Sequence, residues 1–179
     1  MSFDYTNRAW IRESRTSIKN TSYDKDNNEF MTESSLNVIS FDSVKEKYLS
    51  IHDLDKSWSN SADALASDGI QTYLIEFKNG AQIDNHQIEN KLKDSVIILC
   101  DEWHRTISDT RKEIVFVLVY NEDQKKLPAN DLRAISIANK SGGTQFRFGL
   151  NKAKMYVKKA LIYNKSDFEK KLLHKLKSI

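Results

Sequence analysis

The sequence predicts an α/β fold in the order α-β-β-α-β-α-β-α, and three observations carry that expectation. Two runs, EIVFVLVY and MYVKKALIYN, are dense in β-branched and aromatic residues and read as strands. Ile88, Leu92, Val96, Leu99 and Trp103 recur at helical spacing and read as an amphipathic helix of four to five turns. Between residues 61 and 78, two more apolar segments are joined through Asp68-Gly69, a dipeptide whose tolerance of positive φ suits a hairpin turn.

Taken in order, residues 1 to about 35 are polar and weakly patterned, and NTSYDKDNNEF reads as the exposed loop of a loose arm or short helix. FDSVKEKYLSI follows as a short helix, with Ser43 and Glu46 at capping-box spacing and Val44, Tyr48 and Ile51 as its apolar positions. Strands at 61–66 and 71–78 come next, then the long amphipathic helix, whose stripe packs on the sheet. EIVFVLVY is a buried central strand. PANDLRAISIANKSGG is a helix that starts after Pro128 and stops at Gly142. KSGGTQFRFG lacks the Gly-Lys-Ser of a phosphate-binding loop and reads as an ordinary connection. MYVKKALIYN is a further strand, and SDFEKKLLHKLK a closing helix with Ser166 and Glu169 as a second capping box.

Composition narrows the class. The 179 residues are enough for one domain with a sizeable core, spanning 1–179, in which 43–120 carries the motifs and 152–179 is lysine-rich. With 39% apolar and 30% charged residues the chain reads as globular, and no apolar run approaches the roughly 20 residues of a membrane span. The N-terminus shows no basic-then-apolar leader, so a cytoplasmic location is expected. Cys100 is the single cysteine and ends an apolar run, which predicts a buried, inert thiol and no disulfide. His52, His86, His104 and His174 are scattered, with no spacing that suits zinc.

The hairpin raises the question of function, because charge enters apolar strands. With a two-residue turn, Ser67 faces Ile70 and Asp63 faces Leu74, so Glu76 is the diagonal neighbour of Asp63. Asp63, Leu65, Thr72, Leu74, Glu76 and Lys78 then share one side. Ala62, Ala64, Tyr73, Ile75 and Phe77 share the other, wholly apolar side. A loop longer by an even number preserves these faces, and an odd change reverses them. Two screened carboxylates repel by up to ~4 kcal/mol at about 4 Å and an effective dielectric near 20. A divalent cation relieves that repulsion directly, since carboxylate and carbonyl oxygens suit Mg²⁺ or Mn²⁺. Such an ion activates water and steadies charge on a phosphoryl group, and a nearby lysine can orient or deprotonate that water.

Asp63 followed across a hairpin by Glu76-Phe77-Lys78 resembles the PD-(D/E)xK nuclease superfamily, with its restriction-endonuclease-like fold. SADAL…YLIEFKN is similar to the corresponding run in small bacterial members. The resemblance implies a mixed β-sheet flanked by helices and a metal-dependent endonuclease using Mg²⁺ or Mn²⁺. It assigns Asp63 and Glu76 as metal-binding acids, the Phe77 backbone carbonyl as a third ligand and Lys78 as the catalytic lysine. Glu46 becomes the acid on the preceding helix, although its capping role is a sufficient explanation. Gln87 and Lys91 stand where related nucleases add a further polar residue. The chain departs from the pattern in having Ala62, not proline, before the aspartate.

The tail suggests the partner. From Lys152 onward there are nine lysines against two acids, interleaved with Tyr156 and Tyr163. Lys152, Lys154 and Lys158, with Arg147, Arg133 and Lys91, could face a phosphate backbone. A soluble lysine-rich edge strand is the competing explanation. Two readings follow: hydrolysis of nucleic acid, DNA before RNA, or a non-catalytic interaction or immunity module that keeps the fold. Either could involve a homodimer or another protein partner.

Overall fold

In the computed structural model, which describes residues 9–179, the run Ile114–Tyr120 is buried at every position and forms an inner strand of a mixed sheet. The strands of this sheet are β1 (Arg15–Ser17), β4 (Asn37–Ser40), β5 (Ala64–Ser67), β6 (Thr72–Lys78), β7 (Ile114–Tyr120) and β8 (Lys159–Asn164), in that spatial order. β1 through β6 pair antiparallel, whereas β6 with β7 and β7 with β8 pair parallel. Parallel neighbours need crossovers. These are supplied by α4 (Asn85–Glu102) with α5 (Ile107–Glu113), and by α6 (Ala129–Ser141).

Each face of the sheet has its own core. On one, Leu65, Leu74, Phe116 and Leu118 pack with Val44 of α3 (Phe41–Ile51) and with Ile88, Leu92, Val96 and Leu99 of α4, the stripe expected from the sequence. On the other, Ala64, Ile75, Val115 and Val117 pack with Ile18 of α2 (Ile18–Thr21) and with Phe168 of α7 (Lys165–Lys171). The Phe77 and Phe168 rings meet edge-on at 5.6 Å between centroids. Ala62 is an exception to the expected faces. A bend at Asp63 turns it to the α4 side, where its N–H donates to Ser95 Oγ.

The hairpin loop is four residues long, not two: Ser67 pairs with Thr72 and Leu65 with Leu74. Asp68 causes the difference by folding its carboxylate back over the loop. Its Oδ1 accepts from the N–H groups of Ile70 and Gln71, and its Oδ2 from the Tyr73 hydroxyl, while Gly69 takes φ +90°. The change is even, so the faces survive, and continuing the register one step places Asp63 directly opposite Glu76 instead of diagonal to it.

The segment expected to be an arm is built into the fold, apart from residues 1–8, which lie outside the described residues. After α1 (Ala9–Glu13), β1 and β4 extend the sheet, and β2 (Tyr23–Asp24) with β3 (Glu29–Phe30) forms a small ribbon. The helix caps also differ from expectation. Ser40 caps α3, accepting from Ser43 N, so the helix starts before the expected box. Asn164 caps α7 through Asp167, because β8 runs straight into that helix. α6 does begin after Pro128 and end at Gly142, which takes the left-handed conformation. The tail strand is shorter than expected: Leu150–Met155 is a 3₁₀ turn, and β8 begins at Lys159.

Candidate functional site

Asp63 and Glu76 are brought together by the hairpin register at the point where β5 starts and β6 runs on paired only with β7. The Phe77 N–H donates to Asp63 Oδ2 at 2.6 Å, which fixes the carboxylate against the next residue of β6. In a strand, N–H and C=O of one residue point to the same side, so the Phe77 carbonyl faces this junction too. Lys78, two positions after Glu76, places Nζ 3.0 Å from Glu76 Oε1 and donates to Gln87 Oε1 at 2.7 Å. One helical turn beyond Gln87, Lys91 reaches both acids: its Nζ lies 3.2 Å from Asp63 Oδ1, 2.8 Å from Glu76 Oε1 and 2.9 Å from Glu76 Oε2.

Glu76 is fully buried. Its Oε1 lies against two ammonium groups yet makes no aligned hydrogen bond. Burial, and after it the charge of Glu76, holds the Asp63 carboxyl well above the usual carboxylate range, against the pull of Lys91 and the Phe77 N–H. Burial also acts to lower the Lys91 ammonium, but Asp63 and Glu76 outweigh it and hold Lys91 protonated. The group is therefore two carboxyl groups and two lysine side chains packed together in a partly dry setting. Such clusters add little net stability but are expensive to break.

Beside the group opens a cavity of about 710 Å³. Asp63, Phe77, Lys78, Asn79 and Gly80 line its sheet side, and residues between Glu13 and Asn27 form the opposite wall. Its lining includes five acids (Glu13, Asp24, Asp26, Asp42, Asp63) and three basic residues (Arg15, Lys25, Lys78). The acidic excess favours a cation over a bare phosphate. Asp42, in the first turn of α3, is the helix-borne acid of the site: it accepts from Ser61 Oγ, lines the cavity, and acts electrostatically on both Asp63 and Lys91. Glu46, one turn further along α3, is exposed and is not among the lining residues. Assigning the cap to Ser40 would have pointed to Asp42, since that places an acid in the helix's first turn.

A second polar group supports Lys78 from behind. The Asn121 N–H donates to the Lys78 carbonyl, and Asn121 Nδ2 donates to Asn79 Oδ1 at 2.6 Å. Asn79 Nδ2 donates in turn to Glu29 Oε2, and Glu29 Oε1 takes Lys165 Nζ at 3.1 Å. Sequence reasoning missed these residues, because each lies at the end of a different strand.

The other expected phosphate-facing residues are dispersed. Lys91 is drawn inward to the acids, Arg147 pairs with Asp131, and Lys158 donates to Gln71 Oε1. Lys152 and Lys154 are exposed on the 3₁₀ turn, not at alternate positions of a strand. Arg133 is exposed on α6, and β8 is the sheet's edge strand. Cys100 is half-buried with its thiol pushed up by burial. No helix among the described residues is long and apolar enough to cross a membrane. Among the described residues no set of three or more His, Cys, Asp and Glu side chains is placed to hold an ion. No protein-family model, characterised protein or solved structure matches the chain.

Proposed function

We propose that this chain hydrolyses phosphodiesters of nucleic acid with a divalent cation, at a PD-(D/E)xK-type centre of Asp63, Glu76, the Phe77 carbonyl and Lys78. One observation carries the reading: across a hairpin, Asp63 and Lys78 line a polar cleft while Glu76 lies buried directly behind them, close enough to share one ammonium with Asp63. The restriction-endonuclease-like fold is part of the proposal. A mixed sheet whose antiparallel hairpin holds the acids and then leads through a helix to parallel strands is in keeping with it.

The donor set suits Mg²⁺ or Mn²⁺: two carboxylates and a carbonyl are hard oxygen ligands. Having only two side-chain acids here is compatible with Mg²⁺, which keeps several waters. Bound there, the ion would supply a water of lowered pKa and charge for the phosphoryl oxygens. The chain's own residues do the rest. Glu76, fully buried, holds its carboxylate behind the cleft, while Asp63 is aimed by the Phe77 N–H. Lys78, steadied by Gln87, points an ammonium at the place where negative charge develops. The exposed Lys152 and Lys154 offer phosphate contacts away from the acidic cleft. DNA is the favoured substrate over RNA.

The second reading is a non-catalytic interaction module. The observation behind it is Lys91, which already neutralises both acids without any metal. Calorimetric titration of Mn²⁺ into the wild type and Glu76→Ala, with incubation of both on mixed DNA and RNA, separates the two. We expect wild-type binding and cleavage that Glu76→Ala abolishes together. Mn²⁺ bound through Glu76 with every nucleic acid left intact would sink the nuclease and leave the module.

A further inference from the structure

We infer that Lys91 is a tethered counter-ion occupying the cation position of this site, and that a divalent ion enters only by displacing it. The inference rests on the reading of Asp63 and Glu76 as metal ligands and concerns how that centre is loaded.

The geometry singles out Lys91 from Lys78. The Lys78 ammonium touches Glu76 through Oε1 only, is held by Gln87, and lines the cleft. Lys91 bridges: a single Nζ contacts Asp63 and both oxygens of Glu76. A cation shared by the two carboxylates has the same contacts to make. An ammonium and a divalent ion cannot share that space, because at contact distance their repulsion in a partly dry site is severe. Withdrawing Lys91 with nothing in its place is also unfavourable, since Lys78 reaches only Oε1 of the buried Glu76 and Lys91 is the cation that pairs with Asp63. One positive charge must therefore replace another.

The side chain has somewhere to go. Lys91 sits inside α4, so its backbone is fixed, but its four-carbon stem can carry the ammonium between neighbouring seats. The cleft supplies one: Asp63 and Asp42 both line it, so an ammonium leaving the pair has an acid and water within the same cavity. Two consequences follow. The metal-free hairpin stays assembled with its acids neutralised, and metal affinity is lowered by the ion pairs that must first be broken.

The test uses Lys91→Met, which keeps the stem's bulk and removes the charge. Mn²⁺ is titrated calorimetrically into the variant and the wild type, and thermal unfolding of both is followed with and without Mn²⁺. The variant should bind Mn²⁺ roughly tenfold more tightly or better. Its metal-free form should melt below the wild type, and Mn²⁺ should raise its Tm by more. Should the variant fail to fold, the wild type answers by ¹⁵N NMR of its lysine ammonium groups. A slowly exchanging Lys91 signal should shift and lose protection as Mg²⁺ is added. Equal or weaker Mn²⁺ binding by Lys91→Met, or a Lys91 signal unchanged at saturating Mg²⁺, overturns the inference while leaving the metal centre standing. If neither protein binds metal, centre and inference fall together. Binding by the variant but not by the wild type supports the inference and shows that Lys91 keeps the site shut.

Discussion

The two walls of the cleft are built on different principles. Phe77 and Lys78 end β6, with Asp63 just before β5 and Asn79 just after β6, and apolar packing fixes those strands from both sides of the sheet. The opposite wall comes from α1, β1, α2 and β2, pieces of five, three, four and two residues. Short-range polar bonds hold it: Asn20 Nδ2 donates to Thr16 Oγ1, and Asp24 Oδ1 accepts from the N–H groups of Asp26 and Asn27. A wall locked by a core can hold buried charge in place. Within the opposite wall Ile18 is fully buried and β1 pairs with β4, so only the exposed turn at 25–28 is of the kind that opens at low free energy and suits admission of a ligand.

The largest expected effect tests that contrast on the sheet wall. Glu76→Ala leaves Lys91 and Lys78 facing an uncompensated site and should destabilise the protein by roughly 3–5 kcal/mol, read from urea unfolding. Glu76→Leu combined with Lys91→Met removes the fully buried carboxylate together with the ammonium that bridges it, leaves Asp63 and Lys78 at the cleft, and should recover most of that loss. Thr16→Ala on the far wall should change stability by less than about 1 kcal/mol. A loss as large at Thr16 as at Glu76 would erase the distinction between the walls.

The same contrast decides what could be read from the sequence. β6, β7 and α4 were legible because long apolar periodicities leave one solution, and the grouping of Asp63 with Glu76 and Lys78 followed from strand alternation together with a loop of even length, which the four-residue loop satisfies. Their direct opposition did not, because the loop length depends on where the Asp68 carboxylate folds. The far wall was illegible for another reason. Two- and three-residue strands carry no periodicity, and β4 is recruited to the sheet by pairing with β5, a contact across some two dozen residues of chain. Asp42 was missed because the Ser43-Glu46 spacing imitates a cap that Ser40 actually provides. Lys91 was placed beside the site, with Gln87 one turn before it, by the resemblance to related nucleases, but its bridging of both acids needed the packing of α4 onto the sheet.

A smaller effect belongs to the seam where the sheet wall meets its support. Asn121 is buried, and its amide holds Asn79 while its backbone N–H holds the Lys78 carbonyl. Asn121→Ala keeps the backbone bond and leaves Asn79 Oδ1 without its donor while Nδ2 still bonds Glu29, for an expected loss of roughly 1–3 kcal/mol in urea unfolding. Metal affinity should be nearly unchanged, because neither Asp63 nor Glu76 loses a contact. A parallel loss of Mn²⁺ binding would mean that this seam sets the ligand geometry and not only the fold.

The smallest effect is a pH dependence that separates the walls by sign. Hydrogen bonds from Lys165 and then Asn79 hold the Glu29 carboxyl below its ordinary value of 4.5. A depressed carboxylate contributes stability that is present above the ordinary value and lost as pH falls through the lower folded one. Asp63 runs the other way: its raised carboxyl favours the fold below its ordinary 3.8, and that contribution is lost as pH rises through the folded value. Acid therefore loosens the Glu29 tie between β3, Asn79 and α7 while relieving repulsion at the sheet wall. Because the Glu29–Lys165 pair is partly exposed, the tie contributes at most about 1 kcal/mol. Urea midpoints of wild type and Glu29→Gln should differ near about pH 6 and converge near about pH 3. A difference that stays constant across that range would show that Glu29 acts by shape alone, and that the seam is not an electrostatic one.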